Sequence, residues 1–140
     1  MTTIAGLRAG LAANLTAAYP TVAVNQYVLA DASPPVFEID TISSDGIDYD
    51  LANARGLDGY YITVRAIVGL TTDQDAQITL DGWLDPAGVK AALEADKTLG
   101  GVAQSLRVEH SEVRAMANPA IPNSQWLAAE WRVYIYAAGN

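Results

Sequence analysis

Few side chains in this chain are of the kinds that do chemistry, and they are scattered. His110 is the only histidine, cysteine is absent, and lysine occurs only at Lys90 and Lys97. Nucleophilic catalysis needs a nucleophile beside a base that a third group orients, and one histidine at one position specifies no such arrangement. His110 falls on the apolar register of a strand containing Val102, Leu106 and Val108. It reads as a partly buried structural or interface histidine. Asp45-Gly46-Ile47-Asp48-Tyr49-Asp50 could offer oxygens to a hard cation. It lacks the twelve-residue register and terminal Glu of an EF-hand, so it reads as an acidic, solvated loop. Asp48 and Asp50 as an acid–base pair would need a cleft and a raised pKa, and nothing in the sequence marks either. Gly100-Gly101 would suit a phosphate only at a helix start, with Lys-Ser/Thr behind it. Here the two glycines lead from a helix into a strand, which is the pattern of a helix C-cap.

The totals narrow the classes further. At 140 residues the chain is expected to be one domain. Its hydrophobic share is 51%, much of it alanine, with one Phe, three Trp and seven Tyr. That composition gives a thin core and leaves Tyr and Trp for subunit contacts, where both are enriched. Trp126, Trp131, Tyr134 and Tyr136 lie in no basic patch, so base stacking is the weaker reading for them. A net charge of −8 disfavours gripping nucleic acid through phosphates, while an acidic surface that DNA slides past remains compatible. Without cysteine there are no disulfides or thiolate metal sites. The N-terminal stretch lacks the basic-then-apolar layout of a signal peptide, and no apolar run reaches the roughly 20 residues that span a bilayer. A soluble chain made in the cytoplasm is expected.

The elements that must position these residues can be read from periodicity. Ile4, Leu7, Leu11, Leu15 and Ala18 predict a helix over residues 3–18, stopped before Pro20. Thr21–Ala30 and Val36–Ile42 alternate as two strands around an Asp-Ala-Ser-Pro-Pro turn, and a hairpin is expected. Ser43–Gly59 is a long loop; from Glu38 to Asp58 there are six acids and one base, Arg55. Tyr60–Leu70 is a strong strand. A helix capped by Thr72 or Asp73 comes next, and a second short helix restarts at Asp85-Pro86. Leu99-Gly100-Gly101 then delivers the chain into a strand from Val102 to Ser111. The proline-bounded loop Asn118–Ser124 precedes a final strand, Gln125–Ala137. The order α-β-β-β-α-α-β-β predicts an α+β fold, a mostly antiparallel sheet packed against helices.

The segment Val89-Lys90-Ala91-Ala92-Leu93-Glu94-Ala95-Asp96-Lys97-Thr98-Leu99-Gly100-Gly101-Val102 looks like the helix, D-x-T-L-G-G turn and strand of phage neck and tail-completion proteins. Over most of its length the layout resembles the tail terminator proteins of long-tailed bacteriophages, the lambda-type minor tail protein family. That resemblance implies a homo-oligomeric ring, typically a hexamer, in the neck of a virion assembled in a bacterial cytoplasm. The ring would stop polymerisation of the tail-tube protein and offer a docking surface to head–tail connector or stopper proteins. DNA would pass through its lumen without specific binding. The family carries no catalytic residues, cofactor or metal to transfer. Loop position and aromatic content nominate Asp45, Asp48, Tyr49, Asp50, Arg55, Asn118, Ile121, Trp126 and Tyr134 as interface residues.

The rival readings are a head-side connector or stopper, a small α+β ligand-binding domain or enzyme, and the tail-tube protein itself. The last is weakened by the three helices. The solvated-loop reading predicts that Asp48→Asn with Asp50→Asn leaves the thermal midpoint unchanged. A large drop in that midpoint, together with loss of a bound cation, would show a metal site instead.

Overall fold

The computed structural model describes residues 2–29, 33–41, 45–49, 56–117 and 123–138. Its architecture is α+β. One six-stranded sheet has the order β1-β2-β4-β6-β5, with β3 attached to β4. The strands are β1 (Ala23–Asn25), β2 (Val36–Asp40), β3 (Ile47–Asp48), β4 (Leu57–Leu70), β5 (Ser105–Ala117) and β6 (Gln125–Ala138). All pairings are antiparallel except β1 with β2. β4 and β6 pair from Leu57↔Ala138 to Leu70↔Trp126, with one register shift between Ile67 and Gly69, and form the spine.

One face of the sheet is covered by helices. Alternation along β4 sends Tyr60, Ile62, Val64 and Ala66 to that face, where they meet Val133, Trp131 and Ala129 of β6 and Phe37 and Ile39 of β2. α1 (Ile4–Ala18) is capped by Thr3, whose Oγ1 accepts from the Gly6 N–H, and lays Leu7, Leu11 and Leu15 on the sheet. α2 (Gln74–Leu84), capped by Asp73, adds Ala76, Leu80 and Trp83. Trp83, Phe37 and Tyr19 form an aromatic cluster with centroids 4.7–5.7 Å apart, which contributes beyond simple area burial.

Four expectations are corrected. The first two strands do not form a hairpin: β1 runs parallel to β2, with Ala23 opposite Val36 and Asn25 opposite Glu38. Arg8 of α1 explains how so short a parallel strand is held. Its guanidinium is buried and donates to Gln26 O (2.5 Å), Ile39 O (2.7 Å) and Thr41 Oγ1 (2.7 Å), joining the end of β1 to the end of β2. The expected Ser43–Gly59 loop contains β3 and the first residues of β4. Asp85-Pro86 is a turn between helices, and α3 (Val89–Leu93) begins three residues later. Its N-cap is Gly88, where a Cβ would sit 2.4 Å from Gly82 O, so only glycine lets α3 start hard against α2. Finally, β5 extends well beyond Ser111, to Ala117.

The D-x-T-L-G-G turn is satisfied internally. Asp96 accepts from the Thr98 N–H (3.0 Å), the Thr98 hydroxyl (2.7 Å) and the Gly100 N–H (3.0 Å). Leu99, Gly100 and Gly101 all have positive φ (50°, 73° and 98°), a conformation that favours glycine. The buried Leu99 sits on Gly10 of α1, and Asn14 donates to Leu93 O and Asp96 O. The turn therefore docks α1 onto the entry to β5, and its polar groups are spent on itself.

Glu94, at the C-cap of α3, ties the same region to β5. Its Oε2 accepts from the Val108 N–H (3.1 Å) and its Oε1 pairs with Lys90. Burial alone would raise its pKa, but the Lys90 and Val108 hydrogen bonds and the charges of Lys90 and Lys97 outweigh that and hold it below the usual carboxylate value. A depressed folded-state pKa gives stability that is present above the unfolded pKa and lost as pH falls through the folded one. Glu94→Gln is thus expected to destabilise the chain by about 1 kcal/mol at neutral pH. The gap to wild type closes toward pH 3, read as thermal midpoints at each pH. A gap that is constant with pH would show that the charge plays no part.

Candidate functional site

The face of the sheet away from the helices carries the charges. Cross-strand register places Glu38, Arg65, Glu130 and Glu112 in one row, and Asp40, Thr63, Arg132 and His110 in the next. Side chains directly opposite one another in a sheet are close enough to pair. Arg65 is the centre. Its guanidinium reaches Asp40 Oδ2 at 2.8 Å on one side and Glu130 Oε2 at 2.8 Å on the other. The other oxygen of Glu130 accepts from Arg114 Nε (2.7 Å), and Arg114 continues to Glu112 (3.2 Å). Glu112 ends the chain of contacts at His110 Nε2, 3.0 Å away. Arg132 pairs separately with Asp45 (3.1 Å). A ladder of alternating sign therefore crosses β2, β4, β6 and β5.

The two ends of the ladder differ in weight. Asp40 is nearly fully buried, and Arg65 and Glu130 are largely so. Burial alone would lower the Arg65 pKa, but the hydrogen bonds and charges of Glu130 and Asp40 more than offset it and hold the guanidinium charged. At the β5 end the side chains are about half exposed, where ion pairs contribute only about 0–1 kcal/mol each. There the hydrogen bonds from His110 and Arg114 lower the Glu112 pKa.

Beside the ladder, Thr63, His110, Glu112, Arg114, Glu130, Arg132 and Asp45 line a shallow hollow of about 170 Å³. Its carboxylates are held by arginines, and Glu112 is made a weaker base, the reverse of what general acid–base work at neutral pH requires. Among the described residues no cluster of three or more His, Asp or Glu suits a metal ion. No described helix is long and apolar enough to cross a membrane. The geometry is that of a strand-locking network.

His110 is corrected here: its side chain is 54% exposed. The register slips between Val108↔Val133 and His110↔Arg132, making Glu109 the extra residue of a bulge. A bulge inserts one residue and turns the rest of the strand over, face for face, so His110 leaves the apolar side that Leu106 and Val108 define.

The nominated interface residues are dispersed. Asp45 pairs with Arg132 across the helix-free face. Asp48 is exposed on β3, and Tyr49 beside it is 71% exposed. Tyr134 is buried in its own sheet. It packs on Tyr61 and Tyr136 (4.5 and 4.7 Å between centroids) and covers Gly59, where a Cβ would fall 2.1 Å from its hydroxyl. Little of its ring is left for a neighbouring subunit. Burial, with the nearby Tyr136, Tyr61 and Asp48, raises its pKa. Trp126 is at the far end of β6, half-buried against a small second cluster of Val36, Ile67 and Ala128. Asp50, Arg55, Asn118 and Ile121 lie outside the described residues. The arginines at 8, 65 and 114 carry no sequence signal, because burial and pairing of a charge leave no periodic trace.

Compared with known families and with curated proteins, the chain matches no family model and no curated protein.

Removing the centre of the ladder tests its structural weight. Arg65→Met keeps the side-chain length and leaves buried Asp40 and Glu130 without their shared cation. A loss of about 3–5 kcal/mol is expected, measured by urea denaturation at pH 7. Arg114→Met, at the exposed end, is expected to cost under about 1 kcal/mol. Equal losses would refute the graded ladder.

Proposed function

We propose that this chain is a structural, ring-forming protein of the tail terminator kind. It closes the end of a phage tail tube and presents a docking face to the head connector. The observation that carries this reading is the outer strand of the β5–β6 hairpin. From Glu109 to Ala117 every residue except Met116 is exposed, so most of a long strand stands off the core. Ordering a residue costs about 1–2 kcal/mol in backbone entropy. A strand that buries so little of its own surface gains most if a neighbouring molecule completes it. The ladder supports the same reading, since its charges fix strands in register and are not free for a substrate. The segment from Val89 to Val102, a short helix and a turn that lead toward β5, adds its resemblance to tail-completion proteins.

In this mechanism catalysis has no part. Copies seat on the last ring of the tail tube through one surface, and the opposite surface offers no template for another tube ring. The net charge of −8 suits a lumen that repels passing DNA.

Electron microscopy of phage assembled without this protein tests the proposal. Overlong tails of variable length, unable to join heads, are expected. Tails of normal length beside heads that leak DNA would assign the chain to the head side as a stopper.

A further inference from the structure

The sheet ends differently on its two sides, and the two ends complement each other. On one side is β5, with Val113 55% exposed; its charges pair within the strand, Arg107 with Glu109 and Arg114 with Glu112. On the other side are β1 and β3, and most of the exposed large apolar side chains among the described residues gather just beyond their C-terminal ends. Tyr27, Val28 and Leu29 come directly after β1, and Tyr49 directly after β3, with exposures of 54%, 42%, 50% and 71%. The described segments 21–29, 33–41 and 45–49 contain Glu38, Asp40, Asp45 and Asp48 and no Lys or Arg. Glu38 and Asp40 are buried, so Asp45 and Asp48 carry the exposed negative charge of that edge.

We propose that the open edge of β5 docks on the β1/β3 edge of a second copy of this chain, head to tail. The inference rests on the ring-forming reading and gives it its contact. Strand direction permits it. β1 and β2 run one way, β4 the other, β6 with β2, and β5 with β4. Two copies in the same orientation therefore bring β5 antiparallel to β1, the pairing that continues the sheet through main-chain hydrogen bonds. Glu94 already occupies the Val108 N–H, so the open edge starts at the Glu109 bulge and runs to Ala117. Val113 meets the Tyr27–Leu29 apolar group.

A symmetric β5–β5 contact would leave those apolar residues in water. The edge-to-edge contact covers them. Being heterologous, it repeats from copy to copy and closes when the rotation returns to its start.

The absence of native cysteine makes disulfide trapping clean. Val113→Cys, carrying a size tag, is mixed in turn with Val28→Cys, Leu29→Cys and Tyr49→Cys of the full-length chain and mildly oxidised. Light scattering is recorded on each sample before oxidation. A disulfide needs Cα atoms within about 7 Å, so a link reports adjacent strands. The expected result is a tagged–untagged covalent pair with Val28→Cys or Leu29→Cys, and a ladder of linked copies when both cysteines are in one chain. Val113→Cys linking chiefly to itself would establish the symmetric contact and overturn the proposal. Oligomers that form no link to any of the three positions would overturn this contact while leaving a ring intact. Monomers in every sample, unlinked, would overturn contact and ring together. As a second readout, Val113→Lys on the exposed strand is expected to keep the wild-type circular dichroism and shift the scattering mass to that of one chain. An unchanged oligomer mass would contradict the contact.

Discussion

The structure depends on the antiparallel pairing of β4 with β6. Its register, held from Leu57↔Ala138 to Ile67↔Ala128, decides which side chains meet on each face. On one face it aligns Ile62 with Val133 and Val64 with Trp131, building the floor on which three helices pack. On the other it aligns Arg65 with Glu130, the central rung of the charge ladder. A slip of one residue would exchange the faces, putting Arg65 among the apolar side chains and Val64 in the ladder. The apolar floor and the buried ion pair therefore specify the same register from opposite sides.

The two buried arginines do different work from this frame. Arg65 compensates two largely buried carboxylates that strand alternation places beside it on the helix-free face, so its removal is felt as uncompensated charge. Arg8 instead satisfies backbone and hydroxyl oxygens where β1 and β2 end. It also lies 4.3 Å from the centroid of the Tyr27 ring. In this way α1 shapes the edge that carries Tyr27, Val28 and Leu29. Packing on the helix side is thus linked to the exposed apolar group at that edge.

Much of the fold is legible where burial is regular. Leu7, Leu11 and Leu15 mark α1, and the alternations of β4 and β6 mark the spine. The hidden parts depend on contacts distant in sequence. The Asp-Ala-Ser-Pro-Pro stretch resembles a hairpin turn, yet β1 ends at Asn25 and β2 starts at Val36 in the same direction. Arg8 holds the result, and no local pattern announces it. His110 is misplaced by its alternation because a single bulge residue, Glu109, resets the pattern. The end of β5 escapes notice because it is kept extended by pairing with β6, with no buried stripe to mark it. Of the nominated interface residues, Asp48 and Tyr49 lie on an open edge, whereas Tyr134 is misleading: an aromatic in a strand is as well suited to covering Gly59 as to meeting a partner.

The central claim is that this chain works as a closed assembly of identical copies. Native mass spectrometry over a range of protein concentrations tests it most directly. The account predicts one dominant species at a fixed integer multiple of the 14.8 kDa chain, unchanged as concentration rises. A monomer at every concentration, or a series of ever larger species with no closed member, would contradict it.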